Sequence, residues 1–375
     1  MKGNYGRISF LEIFDDITKE GRKIPKEEYL SDGLYPIIDQ GKNIVGGYSN
    51  EVEGIFENIP AIIFGDHTRV LKYVEEPCFL GADGVKLLKP KEAFDENPKY
   101  LYYALKSIRI PDTGYNRHFK WLKESTIYLH SKKEQDSIVS ILDTIEELAI
   151  LRAKELQKCD ELIKARFVEL FGDPTIIDKD KAYMPMTSIC EIIDGDRGKN
   201  YPKQEEFYED GYCLFLNAKN VTSNGFDFTN CMFITKEKDE LLRKGKLNRG
   251  DVVLTTRGTI GNLAYYSDDV PFDNVRINSG MVILRMNHEL VDEIFFIEQF
   301  KLQLAEIKEK IASGSAQPQL PISTMNKIQM LVPEITKQID FTNFVKQTDK
   351  SKLAVQKSLE QLETLKKSLM QQFFS

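Results

Sequence analysis

"KARFVELFGDPT", Lys164 to Thr175, closes a long charged stretch with Phe171, Gly172, Asp173 and Pro174. Glycine can take the left-handed conformation after a helix and proline cannot continue one, so this is a helix end in mid-chain. The last residues, "LKKSLMQQFFS" from Leu365 to Ser375, have the same make-up. Two such helices, each with a large block of other sequence before it, decide the fold.

Upstream of Phe171, from Glu134 to about Leu170, apolar residues fall at Ile138, Leu142, Ile145, Ala149, Leu156, Cys159 and Ile163, with Arg152 taking one position. The steps alternate three and four, charges lie between, and no Gly or Pro intervenes: heptad spacing for a helix about 50 Å long. An offset of 203 residues lays Gln338 on Gln135, Phe341 on Ile138, Val345 on Leu142, Leu359 on Leu156, Leu362 on Cys159, Met370 on Phe167 and Phe374 on Phe171. It also lays "IQMLVPEITKQ" (Ile328–Gln338) on "STIYLHSKKEQ" (Ser125–Gln135), a short apolar strand before each helix. Heptads alone can be slid into register, but the strand, the glutamine and the Phe-ending tail agree without a gap.

The chain therefore reads as a tandem: a block over 1–132, a helix over 133–172, a second block over 173–334 and a second helix over 335–375. The expected class is α+β, two similar mixed α/β domains joined by two long antiparallel coiled-coil helices with pseudo-two-fold symmetry. Ile138, Leu142, Ile145, Leu156 and Ile163 on one helix, with Phe341, Val345, Leu359 and Leu362 on the other, are the candidates for helix pairing or for docking a partner. Dimerisation with a second chain is the alternative, and pairing within the chain has the higher effective concentration.

Inside the blocks, "YPII", "PAIIFG" and "GVKLLKP" read as strands and "DENPKYLYYALKSI" as a helix; "GYCLFLN", "GDVVLTTRG", "GNLAYYS" and "SGMVILRM" read as strands before a helix from Val291 to about Ile311. The strands are short and punctuated by glycine, which predicts small twisted sheets with helices at the side.

At 375 residues and 41% hydrophobic content, the chain is long enough for two packed domains. No apolar run is long enough to span a membrane, and "MKGNYGRISFLEIFDD" carries acids where a signal peptide needs its apolar centre, so a cytoplasmic protein without membrane contact is expected. Cys78, Cys159, Cys190, Cys213 and Cys231 form no zinc spacing and are expected as free thiols. The net charge of −7 weighs against a polyanionic partner, yet a phosphate surface needs only a local basic patch.

Catalytic signatures are missing. No phosphate-cradling G-x-x-x-x-G-K-[ST] occurs; "GADG" (Gly81–Gly84) and "RGTIGN" (Arg257–Asn262) read as tight turns; "GDH" (Gly65–His67) has no partner cluster. "ENPKY" (Glu96–Tyr100) approaches an amino-methyltransferase signature, but Lys99 stands where a second proline belongs, which leaves a helix cap. No catalytic residue, metal ligand or cofactor is expected in this chain.

What remains is recognition chemistry in loops. The first block offers Gln40, Lys42, His67, Thr68, Arg69, Lys86, Asn116, Arg117 and His118; the second offers Lys199, Lys203, Asn217, Lys219, Asn220, Arg257, Thr259, Arg276, Asn278, Gln317 and Gln319. Arg, Asn, Gln and His read base edges, while Lys and Thr contact phosphates. Any one of them alone is more often a turn residue; strand ends in both blocks carry the same kit.

These stretches, above all "FGDHTRVLKYVEEPCFLGADGVKLL" with "TGYNRHFKWLK", "LTTRGTIGN", "NSGMVILRM", "ASGSAQPQLP" and "ARFVELFGDP", resemble a specificity subunit of a type I restriction-modification system over essentially the whole chain. The resemblance implies that each block is a target recognition domain reading one half of a split DNA site. It implies that the helices act as a spacer and dock two modification (methyltransferase) subunits, with restriction/translocase subunits beyond. S-adenosylmethionine, ATP and Mg would then sit on those partners. The second block has Pro333 ahead of its helix where the first has His130, a departure from the family's proline-led turn. A non-enzymatic coiled-coil adaptor for protein partners, and the specificity module of an unrecognised methyltransferase, are the competing readings.

Overall fold

The computed structural model describes residues 6–312 and 319–375. Its elements form two compact units, one running to Ala153 and including Gln356–Ser375, the other Lys154–Val355.

In the first, the chain runs β1 (Gly6–Ser9), α1 (Phe10–Ile13), β2 (Phe14–Asp16), β3 (Lys23–Ile24), β4 (Tyr35–Ile38), β5 (Gly47–Ser49), β6 (Ala61–Gly65), β7 (Leu71–Val74), β8 (Phe79–Gly81), β9 (Val85–Pro90), α2 (Pro98–Ser107), α3 (Phe119–Lys123) and β10 (Thr126–Leu129) into α4 (Lys132–Phe171). One sheet has the order β2-β9-β6-β7, a second β3-β8-β4-β5, and β1 pairs with β10. β6 is buried at every position, and its side chains alternate between two cores. Ile62 and Phe64 join Tyr100, Leu101 and Tyr103 of α2, while Ala61 and Ile63 join Cys78, Leu80 and Leu87. Asn97 caps α2, its Oδ1 accepting from the amides of Lys99 (3.0 Å) and Tyr100 (3.2 Å), with Pro98 at the first helical position. The "ENPKY" stretch is thus a helix start.

In the second, β11 (Tyr183–Pro185), α5 (Met186–Ile189), β12 (Cys190–Asp194), β13 (Cys213–Leu216), β14 (Val221–Thr222), β15 (Gly225–Phe226), β16 (Phe233–Ile234), α6 (Lys236–Leu241), β17 (Val252–Thr255), β18 (Leu263–Tyr265), β19 (Val275–Ile277), β20 (Met281–Met286), α7 (Glu293–Ala312), α8 (Ile322–Met325) and β21 (Gln329–Leu331) lead into α9 (Ile335–Phe374). The order β12-β20-β17-β18 repeats β2-β9-β6-β7, and β11–β21 repeats β1–β10. β13 lies parallel to β19 and antiparallel to β16, as β4 lies parallel to β8 and antiparallel to β5. Among the described residues, β3, α6 and the hairpin β14–β15 have no counterpart in the other unit. The offset of 203 carries α3 onto α8 at its start and α4 onto α9 at both ends.

A buried glutamine ties each sheet-and-helix block to its long helix. Gln135 Oε1 accepts from the Asn97 amide (3.1 Å) while its Nε2 donates to the His130 carbonyl (2.9 Å). Gln338 Oε1 accepts from the Asp292 amide (3.0 Å) while its Nε2 donates to the Pro333 carbonyl (2.7 Å). The exchange of proline for histidine leaves the clamp intact because only the carbonyl is used.

Within each unit the two long helices contribute antiparallel segments. In the first, Ile138 and Leu142 share a cluster with Leu369, Met370, Phe373 and Phe374, and Glu146 pairs with Lys366. In the second, Ile163, Phe167 and Phe171 share a cluster with Phe341 and Val345, and Asp160 pairs with Lys352 at 2.5 Å. Each block is therefore closed by the end of the helix that follows the other block. Phe374 lies 5.4 Å from Tyr100, and Phe171 lies 5.0 Å from Phe295, between ring centroids. Burial alone would raise the Glu146 carboxyl, but hydrogen bonding to Lys366 and the charges of Lys106 and Lys366 outweigh it and hold it below the usual range.

Ile138, Leu142, Ile145, Ile163, Phe341 and Val345 are buried inside their own units, which removes them as docking residues; Leu156, Leu359 and Leu362 are half-buried. The exposed apolar side chains of the long helices are others: Ile141, Leu148, Ile150, Leu151 and Leu365 in the first unit, and Leu162, Val168, Leu170, Ile339 and Leu353 in the second. No helix among the described residues is long and apolar enough to cross a membrane. The five cysteines are free thiols.

Candidate nucleic-acid interface

In the first unit, four loops meet at one end of the strands: the segment after β4, the β6–β7 turn, the β8–β9 turn and the loop before α3. Asp66, which is buried, joins three of them. Its amide donates to the Gly84 carbonyl (2.6 Å), its carbonyl accepts from the His118 amide (2.8 Å), and its Oδ1 accepts from the Phe119 amide (2.8 Å). Gln40 supplies the fourth link: Oε1 accepts from the His67 amide (3.2 Å) and the carbonyl accepts from the Thr68 hydroxyl (2.6 Å). Gly84 has φ +65°, and a Cβ there would lie 2.6 Å from Gln40 Oε1, so the turn requires glycine.

Arg69 is the one non-glycine residue among those described with positive φ, 62°, and its guanidinium is held by Asp112 at 2.7 Å. The Gly114 amide, and then the Arg69 charge, hold Asp112 below the usual carboxylate range. Lys86 pairs with Asp16 at 3.0 Å and lies 5.1 Å from the Phe119 ring centroid. His118 is fully buried, with Nδ1 3.0 Å from the Asp66 carbonyl and Nε2 3.3 Å from the Thr113 hydroxyl. Three candidate readers, Arg69, Lys86 and His118, thus serve the loop itself.

The outward surface here is made by Lys42, Thr68, Asn116 and Arg117, with the His67 ring half-buried beside them. Lys42 borders a groove of about 770 Å³ together with Thr68 and Arg69. Sequence reasoning missed three neighbours. Tyr115 is 85% exposed and stacks on His67. Lys120 and Lys123 are exposed on α3, 4.1 Å from the Trp121 ring centroid and 4.9 Å from that of Phe119. The three-residue spacing of "KWLK" puts both lysines on one helical face, a signal that was available.

The second unit gathers the equivalent loops. Thr256 and Arg257 donate backbone amides to the Gly280 carbonyl (2.9 and 3.2 Å), and Arg257 bridges to Gln319 through the backbone. Asn278 Oδ1 accepts from the Gly280 amide (2.8 Å). A Cβ on Gly195 would lie 2.2 Å from the Asn278 carbonyl oxygen, so the segment carrying Lys199 passes directly against this turn. Asn262 Nδ2 donates to the Val221 carbonyl (2.9 Å) and ties in the segment with Lys219. Lys199, Lys203, Lys219, Arg257, Thr259 and Gln319 are exposed; Gln317 lies outside the described residues.

Two candidates in this unit are buried instead. Asn220 donates to the carbonyls of Asp227 and Asn230, both at 2.9 Å, and accepts from the Asn217 amide at 3.0 Å. Arg276 spends its guanidinium on Asp239 and on the carbonyls of Lys244 (2.7 Å) and Leu242 (3.1 Å). Asn217 and Asn278 hold turns through their side-chain oxygens. Both units thus present exposed Lys and Arg on loops held by buried Asp, Asn and His, cations that need little ordering to meet an anionic partner. No metal-binding cluster of His, Cys, Asp and Glu occurs among the described residues.

Comparison with known proteins shows the family of the chain. Residues 9–159 and 178–364 match the type I restriction modification DNA specificity domain. The specificity subunit of the type I restriction enzyme EcoR124I/EcoR124II of Escherichia coli is 23% identical over 211 residues, a match spanning 53% of this chain and about half, 51%, of that relative. Among solved structures, the S subunit of the type I restriction-modification system from M. genitalium superimposes with a TM-score of 0.59 at 19% identity, over 100% of this chain and 97% of that one. A chain from a structure of type I restriction-modification complex assembly and conformational transition gives 0.55 at 15% identity, over 98% and 97% of the two chains. With both blocks matched, the chain belongs to the type I restriction modification DNA specificity family.

Proposed function

We propose that this chain is the non-catalytic subunit that gives a type I restriction-modification complex its DNA sequence, each block reading one part of a bipartite site. The observation that carries the reading is the duplicated block, matched twice by one DNA specificity domain and bearing exposed cations on equivalent strand-end loops. Lys42, Arg117, Lys120 and Lys123 would hold the backbone of one half-site, and Lys199, Lys203, Lys219 and Arg257 that of the other. Phosphate contacts fix the register of the protein on a duplex, and base-edge contacts specify sequence. The net charge of −7 is compatible with this because partners share the neutralisation of phosphates.

The exposed apolar residues of α4 and α9 are the surface offered to modification subunits. S-adenosylmethionine, ATP and Mg belong to partner subunits in this scheme, and this chain supplies position rather than chemistry. Methylation mapping of cells with and without the gene, with the modification subunit expressed in both, tests the reading. The expected outcome is methylation of one split motif that depends on this chain; an unchanged methylome would falsify it.

A further inference from the structure

The first unit holds an aromatic pair that the proposed function does not by itself require. His67 and Tyr115 come from different loops and stack with ring centroids 4.7 Å apart and planes 6° from parallel. Tyr115 is exposed to 85%, more than any other large hydrophobic side chain described, so the stack stands out of the surface rather than filling a core.

The histidine ring is fixed on its inner side. Its backbone amide is held by Gln40 Oε1 at 3.2 Å, and the next residue, Thr68, is held by the Gln40 carbonyl at 2.6 Å. Its Nδ1 lies 3.3 Å from the Asn116 carbonyl oxygen. A carbonyl can only accept, so Nδ1 carries the proton, and in the neutral ring Nε2 is left as an acceptor. Thr68 and Asn116 adjoin the pair in sequence, Lys42 borders one groove with Thr68, and Arg117, next to Asn116, is exposed with no ion pair among the described residues.

The corresponding turn of the second unit is built otherwise. Gly258 and Gly261 occupy it in the left-handed conformation, with φ of 71° and 82°, and Arg257 and Thr259 are its exposed side chains. One turn offers a held imidazole acceptor, the other a guanidinium donor.

Resting on the reading of the blocks as DNA readers, we propose that His67 is a specificity-determining residue of the first block. Its Nε2 accepts a hydrogen bond from the exocyclic amine of an adenine or cytosine in the major groove, and Tyr115 is the positioning residue that keeps the ring in place. Those amines are the donors on base edges in that groove, so a fixed acceptor discriminates by where the amine lies. Lost acceptor and lost positioning then predict the same broadened motif.

The test uses the complete chain assembled with its modification subunits, a library of randomised DNA duplexes, and S-adenosylmethionine, with methylated sites read by sequencing. His67→Phe keeps a ring to stack and removes Nε2. It is expected to relax one base pair of the first half-site, lowering preference there roughly tenfold or more, with the second half-site unchanged. Tyr115→Ala is expected to relax the same base pair, and Tyr115→Phe to restore it. The retained second half reports a folded, assembled subunit. A His67→Phe motif identical to wild type at every position, or relaxed equally in both halves, overturns the proposal. A wild-type complex that shows no bipartite motif overturns instead the reading on which it rests.

Discussion

Burial decides whether an arginine in a polar loop reads a ligand or braces the fold. Arg257 and Arg276 looked alike in the sequence, each with glycine or asparagine within two residues. Arg276 proves to lie in β19 between Val275 and Ile277, where every position is buried, and an arginine there must find partners within the chain. Asp239 is its counter-charge. Burial alone would raise that carboxyl, but hydrogen bonds from Lys246 and Arg276, with their charges, outweigh it and hold it below the usual carboxylate range. Removing one partner of a buried pair leaves the other uncompensated, so Arg276→Met should cost about 3–5 kcal/mol in chemical denaturation of the second unit. Arg257→Met should stay within about 0.5 kcal/mol, because the side chain is exposed. A carboxylate with a lowered folded-state pKa contributes stability that is complete above its unfolded value and lost as pH falls through the folded one. The advantage of wild type over Arg276→Met should therefore narrow as the pH falls below the usual carboxylate range and through the lowered pKa of Asp239. A deficit that stays constant down to strongly acidic pH would remove Asp239 from the explanation.

Among the elements, the long helices were legible because periodicity over 40 residues accumulates signal that no three-residue strand can offer. Strands such as β2, β3, β8 and β16 are two or three residues long and show no alternation to detect. The helix tails carry the strongest mutational expectation. Phe374 is 8% exposed against Tyr100 and His130, although the chain places it more than two hundred residues from either. Phe374→Ala should destabilise the first unit by about 3 kcal/mol, the usual cost of emptying a buried aromatic site. Hydrogen exchange should report it as lost protection in α2, with α7 in the second unit unaffected. Loss of protection in α7 to the same degree would show that the tail does not act through the block it touches. Phe171→Ala should do the reverse, exposing α7 and sparing α2.

For the molecule as a whole, α4 is one uninterrupted helix that runs from the first block in the chain to the second, and α9 has the same length. If the helices set the spacer of the recognised site, one heptad added to each adds about 10 Å of helix, close to the rise of three base pairs. The expected result is a methylated motif with both half-sites retained and a non-specific spacer longer by about three base pairs. A motif with the same spacer would show that the helices do not measure distance. The insertion has to be whole and paired, since a partial turn would rotate the apolar stripe away from its partner and unfold the pairing rather than lengthen it.

Sequence alone determined the duplication, the helix limits to within a few residues and the sheet-bearing blocks. Each of these follows from local periodicity or from the repetition of a pattern at a constant offset, and both survive in one dimension. Only the tertiary structure decided which loop residues face outward. His118, Asn220 and Arg276 fell to the interior, while Tyr115, Lys120 and Lys123 emerged at the surface. The tertiary structure likewise decided that each block is sealed by the helix belonging to the other. Whether a polar side chain meets solvent or a buried carbonyl depends on segments brought from far along the chain, and no spacing within a loop encodes that.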